Sequence, residues 1–199
     1  MRKEEITLTR RERKKKNQRY AIMRVAREKF KKYGIDNVSV NDIAEAADIS
    51  YATFFNYFAS KDSLYTAIYE EAVDDLFEFA GLITPSVTNT CEKILLVFQQ
   101  WWEDTIDYRA ISLRVTEKYI RDAENGSARE ESLLTLFEQM LSEGIEKGEL
   151  RASLELRQEA IGILGLLYAG IICHTDLDTV LAKLRRELAS MQKADDAHE

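Results

Sequence analysis

Five of the eight residues after Ser50 are aromatic: Tyr51, Phe54, Phe55, Tyr57 and Phe58. Ala52, Thr53 and Asn56 stand between them. On a helix, Phe54 and Phe58 share one face at i, i+4 and are the expected core pair, while Tyr51 and Phe55 share another. The two pairs cannot both enter one core. An outward aromatic pair beside a methyl, a hydroxyl and a carboxamide is suited to thymine methyls, base edges and phosphates. The same cluster reads equally well as simple core packing, and residue type alone leaves both readings open.

Residues for bond-making chemistry are scarce. The two histidines are His174 and His198, and His174 reads as a polar residue at a helix C-terminus rather than a ligand contact. No HExxH, GxSxG, P-loop or GxGxxG pattern occurs, so no catalytic residue, metal site or cofactor is expected. Glu103-Asp104 and Asp176/Asp178 read as solvated helix faces or caps. Cys91 and Cys173 form no CxxC pair and fit reduced core thiols of a cytoplasmic protein. The first sixteen residues lack an apolar stretch, so no signal peptide is expected. The longest uncharged apolar run, Ile161–Cys173, is too short to span a bilayer, so no membrane association is expected.

The elements that would position the aromatic segment are helical. One Pro and eight Gly in 199 residues leave few breakers, and period-2 alternation is absent, which predicts an all-α fold. A charged arm is predicted over Met1–Gln18. A first helix follows from about Asn17 to Tyr33, with Ile22, Ala26, Phe30 and Tyr33 as its apolar stripe and Gly34 as its stop. Ser39 with Asp42 reads as a capping box that opens a short helix ending near Ala47. Another opens at Ser50, and a third runs from Ser60 to about Ala80. Two short helices separated by a turn of about three residues are a helix-turn-helix, whose second helix enters the major groove. Asp48 falls in the turn, where a left-handed backbone is expected. Gly81–Thr90, with Pro85, divides a segment 1–80 from a larger helical body, 81–199, with helices near 91–108, 110–123, 129–147, 155–174 and 179–192.

The net charge of −7 argues against a nucleic-acid partner until its distribution is considered. Residues 1–64 hold 15 Lys/Arg against 9 Asp/Glu, and the remainder holds 13 against 26. A basic end on an acidic body suits a DNA-contacting head joined to a non-contacting domain. The run Arg10-Arg11-Glu12-Arg13-Lys14-Lys15-Lys16 reads either as a DNA-contacting arm or as a solubilising tail.

Gln18–Leu64 resembles the head of the TetR/AcrR family of transcriptional regulators. The residues that carry the likeness are Asp42-Ile43-Ala44-Glu45-Ala46-Ala47, Ile49-Ser50, Thr53, Phe55-Asn56-Tyr57-Phe58, Ser60-Lys61 and Leu64. The resemblance implies a three-helix DNA-binding head on a larger ligand-binding and dimerisation bundle. It implies that Tyr51, Ala52, Thr53, Phe55, Asn56 and Tyr57 face DNA from the helix that Ser50 opens. It further implies that Ser39, Asn41 and Lys61 lie at phosphate-contacting helix starts. Phe55 stands where the family usually has Tyr, and Asp48 where Gly is common. The implied function is a repressor that leaves its operator when a small molecule binds. The alternative is a helical adaptor whose degenerate helix-turn-helix acts through protein partners.

In the body, Leu181, Leu184, Leu188 and Met191 form an apolar seam. The preceding helix carries Gly162, Gly165, Ala169 and Gly170 at close spacing. With the resemblance, these imply a homodimer through helices near 155–174 and 179–192 that reads a pseudo-palindromic duplex. Phe98, Trp101, Trp102, Tyr108, Tyr119, Phe137, Met140 and Tyr168 are the expected lining for an apolar or aromatic effector.

Overall fold

The computed structural model describes residues 9–107, 109–121 and 128–193, with side chains throughout except at 107, 116, 118–121 and 128–130. The described residues form an all-α fold: α1 (Arg10–Tyr33), a one-turn 3-10 helix (Ile35–Asn37), α2 (Val40–Ala46), α3 (Tyr51–Phe55), α4 (Lys61–Ile83), α5 (Thr90–Asp107), α6 (Arg109–Arg121), α7 (Ala128–Glu146), α8 (Leu156–Ile172) and α9 (Leu177–Met191). The chain groups into two compact units. The first holds the residues up to Tyr69 together with Ala110–Val115, and the second holds Glu70–Arg109 and the residues from Thr116 onward.

In the first unit, α1 is longer than its apolar stripe predicts. It begins at Arg10 rather than near Asn17, so the basic run is helix and not an irregular arm. The reason is a capping box: the Thr9 hydroxyl accepts from the Glu12 amide at 3.3 Å, and the Thr9 amide donates to the Glu12 carboxylate at 2.7 Å. Lys and Arg are also good helix formers, and they carry the intervening turns. The buried face of α1 is Ile22, Met23, Ala26 and Phe30, and α1 packs on α2. Ile35, Val38, Ile43, Ala44, Phe54, Phe58 and Leu64 complete this small core.

The second unit is a bundle in which α7 packs on α8, and α5 packs on α7, α8 and α9. Its core includes Ile94, Val97, Phe98, Trp101, Leu133, Phe137, Met140, Leu141, Ile163 and Leu167. After α9 the chain returns to the α7–α8 turn through one isolated β-bridge, Leu150 with Gln192. There the Arg151 amide donates to the Met191 carbonyl at 2.9 Å.

Two expectations change here. The seam of Leu181, Leu184, Leu188 and Met191 is not free for a second chain. All four are buried inside the protomer, where α9 packs on α5 and α8. The outward apolar face belongs instead to α8, where Ile161 and Ile172 are more than half exposed. The glycines of α8 also separate. Gly170 is required internally, because a Cβ there would stand 2.6 Å from the Trp102 ring and 2.8 Å from Val180. Gly162 and Gly165 meet nothing within 4 Å.

Gly170→Ala should therefore destabilise the body by about 1–3 kcal/mol, the usual cost of overpacking a close helix contact. Thermal unfolding followed by far-UV dichroism checks this, and an unchanged midpoint would show that Trp102 relocates without cost.

Candidate nucleic-acid interface

The turn between α2 and α3 is built by backbone hydrogen bonds. The Asp48 amide donates to the Glu45 carbonyl at 3.1 Å, and the Ile49 amide to the Ala44 carbonyl at 3.0 Å. These are the paired closures of a Schellman motif with Ala47 as C-cap. Asp48 takes the left-handed position usually given to Gly, at φ 52°, as the turn reading expects. α3 then opens on Ser50, whose hydroxyl accepts from the Thr53 amide at 3.1 Å. α2 opens on Ser39, whose amide donates to Asp42 at 2.7 Å and whose hydroxyl accepts from the Asp42 amide at 3.2 Å. Hydrogen bonds from the Ser39 hydroxyl and amide hold the Asp42 carboxyl below the usual range.

α3 is shorter than the predicted Ser50–Phe58 segment. After Phe55 the chain tightens, with the Asn56 amide on the Thr53 carbonyl at 3.1 Å and the Tyr57 amide on the Phe54 carbonyl at 2.9 Å. The aromatic residues divide by face. Phe54 and Phe58 are buried at 0% and 2% exposure, while Tyr51 and Phe55 stand 54% and 41% exposed. The outward pair is preorganised edge to face, with ring centroids 4.9 Å apart. Ala52 and Asn56 are exposed beside it, and Thr53 and Tyr57 are half-buried. Thus both readings of the cluster are realised, one on each face. The outward face can offer apolar contact, a phenol, a carboxamide and a hydroxyl to one surface.

Of the other expected DNA-contacting residues, Ser39, Asn41 and Ser50 are exposed. Ser39 and Ser50 are also helix caps, so their hydroxyls already accept a hydrogen bond. Lys61 has an internal task too. Its ammonium donates to the Ile35 carbonyl at 2.5 Å and lies 5.7 Å from the ring centres of both Phe30 and Tyr65. Burial pulls its pKa below the ordinary lysine value, with Asp36 opposing that shift. Two of its three donor hydrogens remain for other partners. Asp36 itself pairs with Arg114 of α6 at 2.7 Å.

Sequence pattern does not single out Arg19. Its guanidinium donates to the Tyr57 carbonyl at 3.4 Å and lies 4.6 Å from the Phe58 ring centre, joining α1 to the end of α3. Its only sequence signal is a position four residues before the buried Met23, on the row that enters the core. Thr9, the cap of α1, also escapes the apolar-stripe reading, although Thr9-x-x-Glu12 is a legible capping box.

In the body, the expected lining residues Phe98, Trp101, Trp102, Phe137 and Met140 are all buried, and Tyr168 is half-buried. Phe98 and Trp102 stack with centroids 6.5 Å apart. Tyr108 lies outside the described residues, and Tyr119 is described only as backbone of α6.

The two-faced helix makes a sharp stability prediction. Phe54→Ala should cost about 3–5 kcal/mol, whereas Phe55→Ala should cost only about 1 kcal/mol because its ring is partly exposed. Ser50→Ala should cost about 1 kcal/mol through loss of the cap. Asp48→Gly should instead stabilise, by up to about 1 kcal/mol, because it relieves a left-handed residue. Urea unfolding of the four variants ranks these effects; equal losses at Phe54 and Phe55 would contradict the assignment of faces.

Comparison with known proteins gives the same head. Residues 22–68 match the family described as bacterial regulatory proteins, tetR family. A comparison with curated proteins gave no match. The fold is similar to that of a protein whose structure is described as the molecular basis for control of antibiotic production by bacterial hormones, with 21% identity, a TM-score of 0.71, and coverage of 89% of this chain and 98% of the other. It is similar to the ketosteroid transcriptional regulator KstR2 of Mycobacterium tuberculosis at 21% identity and a TM-score of 0.62, covering 88% of this chain and 95% of that one. It is also similar to FadR of Bacillus subtilis, solved in complex with stearoyl-CoA, at 18% identity and a TM-score of 0.63, covering 85% and 95%. The segment that matches the tetR family of bacterial regulatory proteins thus contains the capped helix-turn-helix, and the chain as a whole shares its all-helical fold with these solved structures.

Proposed function

We propose that the protein is a homodimeric operator-binding repressor released by an apolar small molecule. The observation that carries the DNA half of this reading is the division of α3 into a buried pair, Phe54 and Phe58, and an exposed pair, Tyr51 and Phe55. The exposed parts of these edge-to-face rings suit thymine methyls and base edges in a major groove. In this reading Ala52, Thr53, Asn56 and Tyr57 contact the groove, and Ser39, Asn41, Ser50 and Lys61 contact the flanking phosphates. Because Phe55 has no hydroxyl, it contributes apolar contact only.

Residues 1–80 form the reading head with its connecting helix in this proposal, and residues 81–199 the regulatory body. Dimerisation uses the outward face of α8. Gly162 and Gly165 lie in mid-helix, where Gly costs about 1 kcal/mol relative to Ala, and neither is needed for packing inside the protomer. Close approach by the same helix of a second protomer accounts for them, with Ile161 and Ile172 covered in the same contact. Two heads then read two half-sites of a pseudo-palindrome.

The effector lies among α5, α7 and α8, against Phe98, Trp101, Trp102, Phe137, Met140 and Tyr168. Thr105, 3% exposed on the same helix as the two tryptophans, has a buried hydroxyl without a hydrogen-bond partner among the described residues. It supplies a polar handle for one end of an otherwise apolar molecule. The FadR structure with stearoyl-CoA is an instance of a similar fold holding a long apolar ligand.

The experiment is selection of bound fragments from the source genome, then gel shift at moderate salt. Sequence-specific binding that Phe55→Ala weakens about tenfold, without loss of stability, supports the reading. Binding to no duplex would favour an adaptor acting through protein partners. Gly165→Gln should convert the dimer to a monomer in sedimentation while leaving protomer stability intact; a persistent dimer would move the interface off α8. An effector recovered from a small-molecule screen should bind Thr105→Val more weakly and lower operator affinity; a ligand that binds without changing that affinity is not the effector.

A further inference from the structure

We infer that α1 carries a second DNA contact, a cationic row of Arg11, Lys15 and Arg19 that grips the phosphate backbone beside the end of the reading helix. The inference rests on the DNA-binding function of the head and assigns it a surface outside the helix-turn-helix. It is drawn from a change of chemistry along one side of one helix. Arg11, Lys15, Arg19 and Met23 follow one another at i, i+4, so they form a single row on α1. At Met23 that row is buried in the head core. At Arg19 it touches the Tyr57 carbonyl and the Phe58 ring, at the end of α3. Beyond Arg19 the same row leaves the head, and residues 10–17 are exposed. Where the core stripe would continue, lysine and arginine replace the apolar residues. At 1.5 Å per residue, Arg11 stands about 12 Å past Arg19 along the axis.

Three observations favour a polyanion as the occupant. The row is continuous with the reading helix through Arg19, so a duplex against α3 passes close to it. The charge is nearly all of one sign: Arg10–Lys16 contains six cations, and its one carboxylate, Glu12, is engaged by the Thr9 amide and hydroxyl. And the cations sit at the wrong end of the helix. A helix N-terminus carries partial positive charge, so basic side chains in the first turns oppose helix formation there. The Thr9–Glu12 capping box holds the segment helical despite that opposition. A polar surface evolved only for solubility has no need to place its cations against the dipole, whereas a phosphate backbone neutralises both the cations and the dipole. Because the turns are already folded, DNA gains these contacts without the cost of ordering a loose arm. The contacts are sequence-independent and raise affinity for every duplex.

The test compares matched charge removal on two sides of the same helix in the full-length protein. Arg11→Gln/Lys15→Gln removes two cations from the row. Arg10→Gln/Arg13→Gln removes two from roughly the opposite side, at about 3.6 residues per turn. Binding to a selected genomic fragment and to a random duplex of equal length is followed by anisotropy across a salt series. Each phosphate that is no longer neutralised should shrink the slope of log K against log salt by about 0.9. The row variant should show about two such increments per head, and the opposite-side variant well under one. The operator-to-random preference should stay within about twofold in both. The charge-keeping variant Arg11→Lys/Lys15→Arg should retain the wild-type slope, which separates charge from packing. Equal slope changes on the two sides would reduce the segment to a diffuse positive potential and overturn the inference, as would no change in either. A shallower slope in the charge-keeping variant would also overturn it. If the wild type bound neither duplex, the DNA-binding reading would fall and take this inference with it; if the wild type binds and the two variants agree, only the row is wrong.

Discussion

A helix of five residues has no stability of its own, because nucleating the first turn fixes several residues for a single hydrogen bond. α3 exists only because Phe54 and Phe58 are driven into the core formed with α1 and α2 while Ser50 and the Schellman turn fix its start. Everything the head presents to a partner depends on that burial. The same few residues supply a buried anchor on one side and an exposed aromatic surface on the other, so the segment is rich in aromatics. A Phe at i and i+4 supplies large apolar area from two positions, and the rest of each turn is left for function.

The charged groups of the head show a similar economy. Arg19 and Lys61 are cations near the surface of the head, yet each donates to a backbone carbonyl inside the protein, of Tyr57 and Ile35 respectively. They brace the ends of the short elements and keep their charge near the surface. Lys61 lies close to the rings of Phe30 and Tyr65, and burial at this place lowers its pKa. The acidic excess of the whole chain does not conflict with DNA binding, since it is concentrated after Leu64.

The body answers to different constraints. α5 touches α7, α8 and α9, and its aromatic face fills the centre of the bundle. Trp102 reaches so close to α8 that only a glycine at 170 fits beneath it. On the outer side of α8, Gly162 and Gly165 have open space above them. One helix therefore carries two kinds of glycine, and nothing in their local sequence separates them. The sequence reads GILGLLYAG in both cases as small residues at close spacing, and it assigns the dimer seam to α9 as readily as to α8. The leucine seam of α9 illustrates why. A 3–4 repeat states that a helix buries one face, but does not state whether the buried face meets the same chain or another.

What the sequence determined by itself was local and strong. Apolar periodicity set the all-α class, Ser39, Ser50 and Gly34 marked helix ends within a residue, and the i, i+4 pairing of the aromatics already required α3 to have two different faces. Those signals are legible because caps and stripes act within one or two turns. The extent of α1 is equally local in origin, set by Thr9 and Glu12, but a run of six cations without an apolar stripe looks like an arm until its cap is weighed. The tertiary structure alone decided the rest: that Arg19 reaches Tyr57, that Lys61 is held by Ile35, and that α9 spends its leucines inside the protomer. Each of these joins residues far apart in the chain, and such contacts are fixed by how whole helices pack, to which no short window of sequence refers.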